Sequence, residues 1–205
     1  MKLFSTEGAL YKFMMQFVDL LVLNFMWILC SIPLITIGAS TAAAAAVTMK
    51  MAKDEESYIA KQFLKEFKRN WKQGTILWGM ILLSAYALYL DVQILKASEN
   101  PSLLVICMTM GLIFLMVICF TYSFALIARY ENSIPNTIRN SMKIVMQYFG
   151  RTLVLLFSIA LIIVVLNFTE VMIFFMIIIG PGCIFYTYGY FCRQLFERIE
   201  KEQSL

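Results

Sequence analysis

The chain has 205 residues, of which 61% are apolar and 15% charged, with a formal net charge of +4 and a mean hydropathy of +0.78. A soluble domain carries about 45–50% apolar and about 25% charged residues, and one core of this size cannot hide the excess. These figures exclude a secreted disulfide scaffold, a disordered regulator and an ordinary cytosolic enzyme, and they point to lipid as the solvent for the surplus.

Histidine is absent, which removes Ser-His and Cys-His catalysis and histidine metal sites. Cys30, Cys107, Cys119, Cys183 and Cys192 form no C-x-x-C pair and read as small buried hydrophobes. The net charge is too small to suggest a nucleic-acid partner.

A spanning helix needs about 20 mostly apolar residues. The first 16 residues do not read as a signal peptide, because the apolar stretch that follows is too long for an h-region. That stretch, 17–37, is the first expected span. Gly38-Ala39-Ser40-Thr41 and five alanines come next; such small residues let helix backbones approach closely in lipid. Residues 42–51 read as a short sixth crossing or as a membrane-buried helix, and five full spans are the favoured expectation.

In 57–72, Ile59, Phe63, Phe67 and Trp71 recur every fourth residue with Leu64 beside them, and Lys61, Lys65, Lys68 and Lys72 lie opposite. This pattern predicts an amphipathic helix with a basic face. Asp54-Glu55-Glu56-Ser57 puts acids at its start, where the helix dipole favours them. The helix reads either as resting at lipid headgroups or as a docking surface for another protein. In the docking reading Phe63, Phe67, Trp71, Lys68 and Arg69 make the contacts.

Spans at 75–95 and 103–128 follow, and then a second amphipathic helix at 133–149. Ser133 is placed to cap it and Pro135 to sit in its first turn; Ile138, Met142, Val145 and Phe149 form its apolar face. The apolar run from 152 to 190 is too long for one crossing. Asn167-Phe168-Thr169-Glu170 divides it into spans at 152–166 and 170–190, and Gly180-Pro181-Gly182 predicts a kink in the second. The expectation is one all-α membrane domain: a polytopic transmembrane bundle of five spans, with a sixth as the alternative, and cytoplasmic amphipathic helices.

The basic residues collect in 50–74, in 129–151 and after 192, with Lys96 alone in the 96–101 turn. The collecting side is therefore the cytoplasm. Five crossings put the amino terminus, with Lys2 and Lys12, on the other side; six bring it inside.

Ionisable groups in lipid are functional candidates by default. In the five-span arrangement Asp19, Asp91 and Glu170 gather near the outer face with Asn167 and Gln93, as a shallow polar pocket for hydroxyl-rich solutes or cations. Asn24 lies deeper, one turn from Trp27; it is a further candidate for that pocket, although an inter-helix hydrogen bond is its favoured role. No phosphate-binding loop, H-E-x-x-H, G-x-S-x-G or paired-aspartate motif occurs. No catalytic residue, cofactor or metal is expected, and the chain does not read as an enzyme.

Residues 24–41 (NFMWILCSIPLITIGAST), 63–79 (FLKEFKRNWKQGTILWG) and the ARYENS…IRNSM pattern at 128–142 resemble, in that order, the YesL family of bacterial membrane proteins, a domain family of unknown function. Members are typically encoded among carbohydrate ABC-import and polysaccharide-utilisation genes of Gram-positive bacteria. The resemblance implies a multi-pass protein of the bacterial plasma membrane and an accessory role in sugar uptake; it carries no catalytic residues. The leading expectation is an accessory component that contacts the lipid bilayer and the permease subunits of a carbohydrate ABC importer, with homo-oligomerisation left open. The alternative is a small oligomeric transporter or channel in its own right.

Overall fold

The computed structural model describes residues 9–52, 58–97, 103–168 and 170–203, and among them every regular element is a helix. Helix α1 (Ala9–Ser31) stops before Pro33, which disfavours helical backbone in the residue preceding it. Pro33 is itself extended, with φ −74° and ψ 109°. The Thr36 hydroxyl lies 2.5 Å from the Cys30 carbonyl oxygen and 2.6 Å from that of Pro33, so it serves the carbonyls left over where α1 ends.

One 3-10 turn, Leu34–Thr36, leads into α2 (Ile37–Met51). Alanine is the best helix former and also the smallest side chain with a Cβ, and α2 uses both properties. Ala42, Ala43, Ala44 and Ala45 are fully buried, with α1, α3, α5 and α8 packed around them. A Cβ on Gly38 would stand 2.1 Å from the Gly74 carbonyl oxygen, and one on Gly189 would stand 2.2 Å from Thr48 Oγ1. Glycine at these crossings is a matter of distance between backbones.

Among the described residues six helices are long and apolar enough to cross a membrane, which favours the alternative count of six over five. The additional one, Leu34–Met51, has 72% of its residues buried within the protein. Its alanines raise the mean hydropathy only modestly because they are small, and their smallness is what lets protein rather than lipid surround them.

Helix α3 (Ile59–Ala97) is a single rod of 39 residues, so the amphipathic helix expected at 57–72 and the span expected at 75–95 are one element. Residues 54–57 lie outside the described residues. Gly74 does not interrupt α3, because α2 lies directly over it.

The span expected at 103–128 is broken instead, into α4 (Leu103–Phe120) and α5 (Ser123–Arg129). Two hydroxyls from other helices are inserted into its hydrogen-bond ladder. Ser141 Oγ accepts from Tyr122 N at 3.2 Å and donates to the Ile118 carbonyl at 3.1 Å. Tyr188 Oη accepts from Ala125 N at 3.3 Å and donates to the Thr121 carbonyl at 2.9 Å. Each replaces one i→i−4 bond with a two-bond bridge, which is a recognised cause of a sharp bend.

Helix α6 (Ile134–Gln147) begins with Ser133 at the cap position and Pro135 in its first turn, but the Ser133 side chain makes no capping bond. Phe149 opens α7 (Phe149–Leu166) rather than closing α6. The apolar side of α6 is already covered, since Val145 and Ile144 are buried with Tyr122, Leu126 and Leu155.

Helix α8 (Glu170–Gln203) runs on through Pro181. Proline has no N–H to offer the carbonyl four residues back, which here is Ile177. Asn24 Nδ2 fills that vacancy, lying 3.0 Å from the Ile177 carbonyl oxygen and 2.6 Å from that of Ile178. A Cβ on Gly182 would stand 3.0 Å from the Leu20 carbonyl oxygen. Leu20 thus meets 182 while Asn24 meets 177–178, so α1 and α8 run in opposite directions. The amino-terminal end of α1 therefore lies at the same end of the bundle as the basic carboxy-terminal end of α8, in contrast to the five-span expectation.

The buried side chains concentrate at this basic end: Tyr122, Leu155, Leu195 and Phe196 in one cluster, Leu23, Val47 and Phe63 in another. At the other end Leu83, Leu103, Phe114, Phe157, Val164 and Phe174 are exposed. Apolar helices presenting side chains of this kind outward are solvated by acyl chains.

Candidate functional site

Glu66 is the one acid in the run from Ile59 to Trp71, and the structure buries it to 1% exposure on the side of α3 that faces α2. A carboxylate so placed needs cationic partners, because its desolvation costs several kcal/mol. Lys50 Nζ supplies one at 3.1 Å and Arg69 Nη2 another at 2.7 Å. Arg69 also donates to the Ala128 carbonyl, and Gln73 Nε2 donates to that of Asn132 at 2.9 Å. Through these bonds α3 holds the end of α5 and the turn after it.

Across from Arg69, Arg129 makes a two-point pair with Glu200, at 3.1 Å from Nε and 2.8 Å from Nη2. Its guanidinium carbon lies 5.9 Å from the centre of the Tyr130 ring and 5.8 Å from that of Phe196, within cation–π range. Tyr130 donates to Glu200 at 2.6 Å; burial, and then that carboxylate, push the Tyr130 phenol well above its ordinary pKa, so it remains a neutral donor. Arg193 grips Glu197 at 2.8 Å from Nε and 2.7 Å from Nη2, and its Nη1 lies 3.3 Å from the Met49 carbonyl oxygen. Between these groups is a cavity of about 270 Å³, lined by Lys50, Arg69, Arg129, Arg193 and Glu197 above Ala46 and Met49.

The outward side of α3 forms a second surface. Lys61, Lys65, Lys68 and Lys72 are exposed, and Trp71 is 43% exposed with its ring edge-on to Phe67, centroids 5.5 Å apart. Phe67, Lys68, Trp71 and Lys72 line a hollow along this face.

The five expected contact residues divide accordingly. Phe63 is fully buried against Ala43, Ala44 and Val47, so it has no face to offer a partner. Phe67 is half-buried beside it, and Arg69 is engaged with Glu66 and Ala128. Lys68 and Trp71 are at the surface. Of the apolar stripe that read as a docking edge, Ile59 and Phe63 seat α2, while Trp71 at its far end stays exposed.

Asp19, Asn24 and Asp91, the members of the expected polar pocket whose side chains are described, are not joined to one another by hydrogen bonds among the described residues. Asn24 is bonded to α8, and Asp91 accepts from the Thr109 hydroxyl at 2.8 Å within the α3–α4 pair. Asp19 is half-buried on α1, on the basic-end side of Asn24 and so away from Asp91. Glu170 opens α8, but its side chain lies outside the described residues. Among the described residues no group of His, Cys, Asp or Glu is placed to hold a metal ion.

Sequence reasoning missed Glu66, Arg129, Arg193 and Glu200. The one local signal was an acid three residues before Arg69 on a lysine-rich face; the other contacts join residues far apart in the chain.

The fold and the basic end define a polytopic, all-α membrane protein with its polar surface gathered at one end. The family described as "Protein of unknown function, DUF624" matches residues 20–92, which include Asn24, both glycines of the α2–α3 crossing and Glu66. The uncharacterized protein YesL of Bacillus subtilis (strain 168) is 28% identical over 122 residues, 58% of this chain and 58% of that protein. Over these residues the chain is similar to the YesL family, and the match spans less than two thirds of either protein. No solved structure matches.

Proposed function

We propose that the chain is a non-catalytic accessory component of a carbohydrate ABC importer in the bacterial plasma membrane. In this reading it engages the permease subunits from the cytoplasmic side. The observation that carries the proposal is the division of labour on α3: its buried side is occupied by α2, while Lys61, Lys65, Lys68, Lys72 and Trp71 stay exposed among the described residues. The importer itself enters through the family resemblance. The dispersal of Asn24 and Asp91 supports binding over conduction, because a solute path would need such groups on one lining.

The test is co-purification in mild detergent of the tagged chain with the permease subunits encoded beside it, repeated with Lys61, Lys65, Lys68 and Trp71 changed to alanine. We expect capture by the native chain and its loss in the variant, with unchanged elution of the variant itself. Absence of capture by the native chain contradicts the proposal. So does solute flux through vesicles that contain this chain alone.

A further inference from the structure

We propose that the cleft between α2, α3, α5 and α8 is a binding site for a phosphate-bearing anion. Four cations from four different helices converge on it: Lys50, Arg69, Arg129 and Arg193. Around them stand three carboxylates, Glu66, Glu197 and Glu200, in the pairs described above. One positive charge is left uncompensated in a recess with an apolar floor, where charge interactions are stronger than in water.

Donors remain as well as charge. Arg129 spends Nε and Nη2 on Glu200, which uses only part of a guanidinium with five N–H donors. Lys50 has three donors and directs one to Glu66. Planar guanidinium groups match phosphate geometry with paired hydrogen bonds. The volume of about 270 Å³ falls just under the range of about 300–1,000 Å³ typical of small-molecule pockets, so it suits a phosphate head group rather than a whole bulky ligand. Arg193 is only 14% exposed at its side chain, and it is fixed by Glu197 and the Met49 carbonyl before any ligand arrives; such pre-organisation lowers the cost of binding.

The phosphate has two possible sources, a soluble phosphate compound or an anionic lipid head group, and the experiment separates them. In one arm the full chain is reconstituted in phosphatidylcholine nanodiscs, titrated with pyrophosphate and followed by thermal unfolding. In the other, pyrophosphate is omitted and phosphatidylglycerol is added to the discs in steps. We expect a saturable rise in the unfolding midpoint in one arm, and that arm names the source.

Arg193→Gln is expected to weaken the effect roughly tenfold, the scale of a lost charged hydrogen bond, while Lys61→Gln, an equal charge change outside the cleft, leaves it in place. Glu197→Gln removes the carboxylate from the lining and is expected to strengthen the effect several-fold, an outcome that a damaged fold cannot mimic. The proposal is overturned by a response that never saturates in either arm, by equal weakening in Arg193→Gln and Lys61→Gln, or by weaker binding in a folded Glu197→Gln protein.

Discussion

Gly74 and Gly79 lie little more than a turn apart on the same helix, in opposite surroundings. A Cβ on Gly74 would stand 2.7 Å from the Ala39 Cα, whereas nothing lies within 4 Å of the corresponding position on Gly79. The contrast extends to the whole molecule. Toward the basic end, α2 brings backbones together through glycine and alanine, and inserted hydroxyls and ion pairs satisfy the polar groups. Toward the other end, apolar side chains point outward along α3, α4, α7 and the first turns of α8. Hydrophobic burial against protein has no advantage over burial in lipid there, so close packing and hydrogen bonds hold helices together only where small or polar residues permit them.

The contrast breaks most visibly at the glycines. Gly38→Leu forces a branched side chain into the Gly74 backbone and is expected to cost about 3 kcal/mol or more, at the upper end of overpacking penalties. Gly79→Leu is expected to stay within about 0.5 kcal/mol, as at an unconstrained surface site. Unfolding midpoints in mild detergent compare the two directly, and equal losses would remove the distinction between the ends.

Next come the inserted hydroxyls. Ser141→Ala and Tyr188→Phe each leave a buried N–H and carbonyl without their bridge, at an expected cost of about 1–3 kcal/mol. Ser158→Ala, whose hydroxyl bonds only its own helix at 2.7 Å on the exposed side of α7, should change stability by less than about 0.5 kcal/mol. If the α4–α5 ladder simply closed in the variants, the first two costs would vanish as well.

Asn24 gives a smaller and more specific effect. Asn24→Leu is expected to cost about 1–2 kcal/mol by leaving the proline-freed carbonyl bare. In a Pro181→Ala background, where the helix can supply its own N–H, most of that cost should disappear; a double-mutant cycle reads the difference. Additive effects would show that Asn24 does not serve the proline. Smallest of all, Asp91→Asn keeps an acceptor for Thr109 and is expected to shift stability by less than about 1 kcal/mol.

The sequence made the apolar helices legible because their length and composition are properties of single segments. It also marked Pro181 as a helix interruption and Asn24 as an inter-helix donor, although α8 runs on through the proline and the carbonyl that joins the two could not be read from either alone. The α4–α5 break was hidden for the opposite reason: 103–128 is uniformly apolar, and what bends it are hydroxyls on Ser141 and Tyr188, far along the chain. Phe63 shows the limit of periodicity. A stripe at four-residue spacing marks a face that will be covered but does not say by what, and here α2 of the same chain covers it. The basic residues were individually conspicuous; their convergence on one cleft depends on how four helices pack.

The most direct measurement is photolabelling by a diazirine-bearing phospholipid in reconstituted membranes, with modified residues located by mass spectrometry. Labels are predicted on Leu83, Phe114, Phe157 and Phe174 and not on Val47, Phe63, Leu155 or Phe196. Comparable labelling of the two sets would contradict the account.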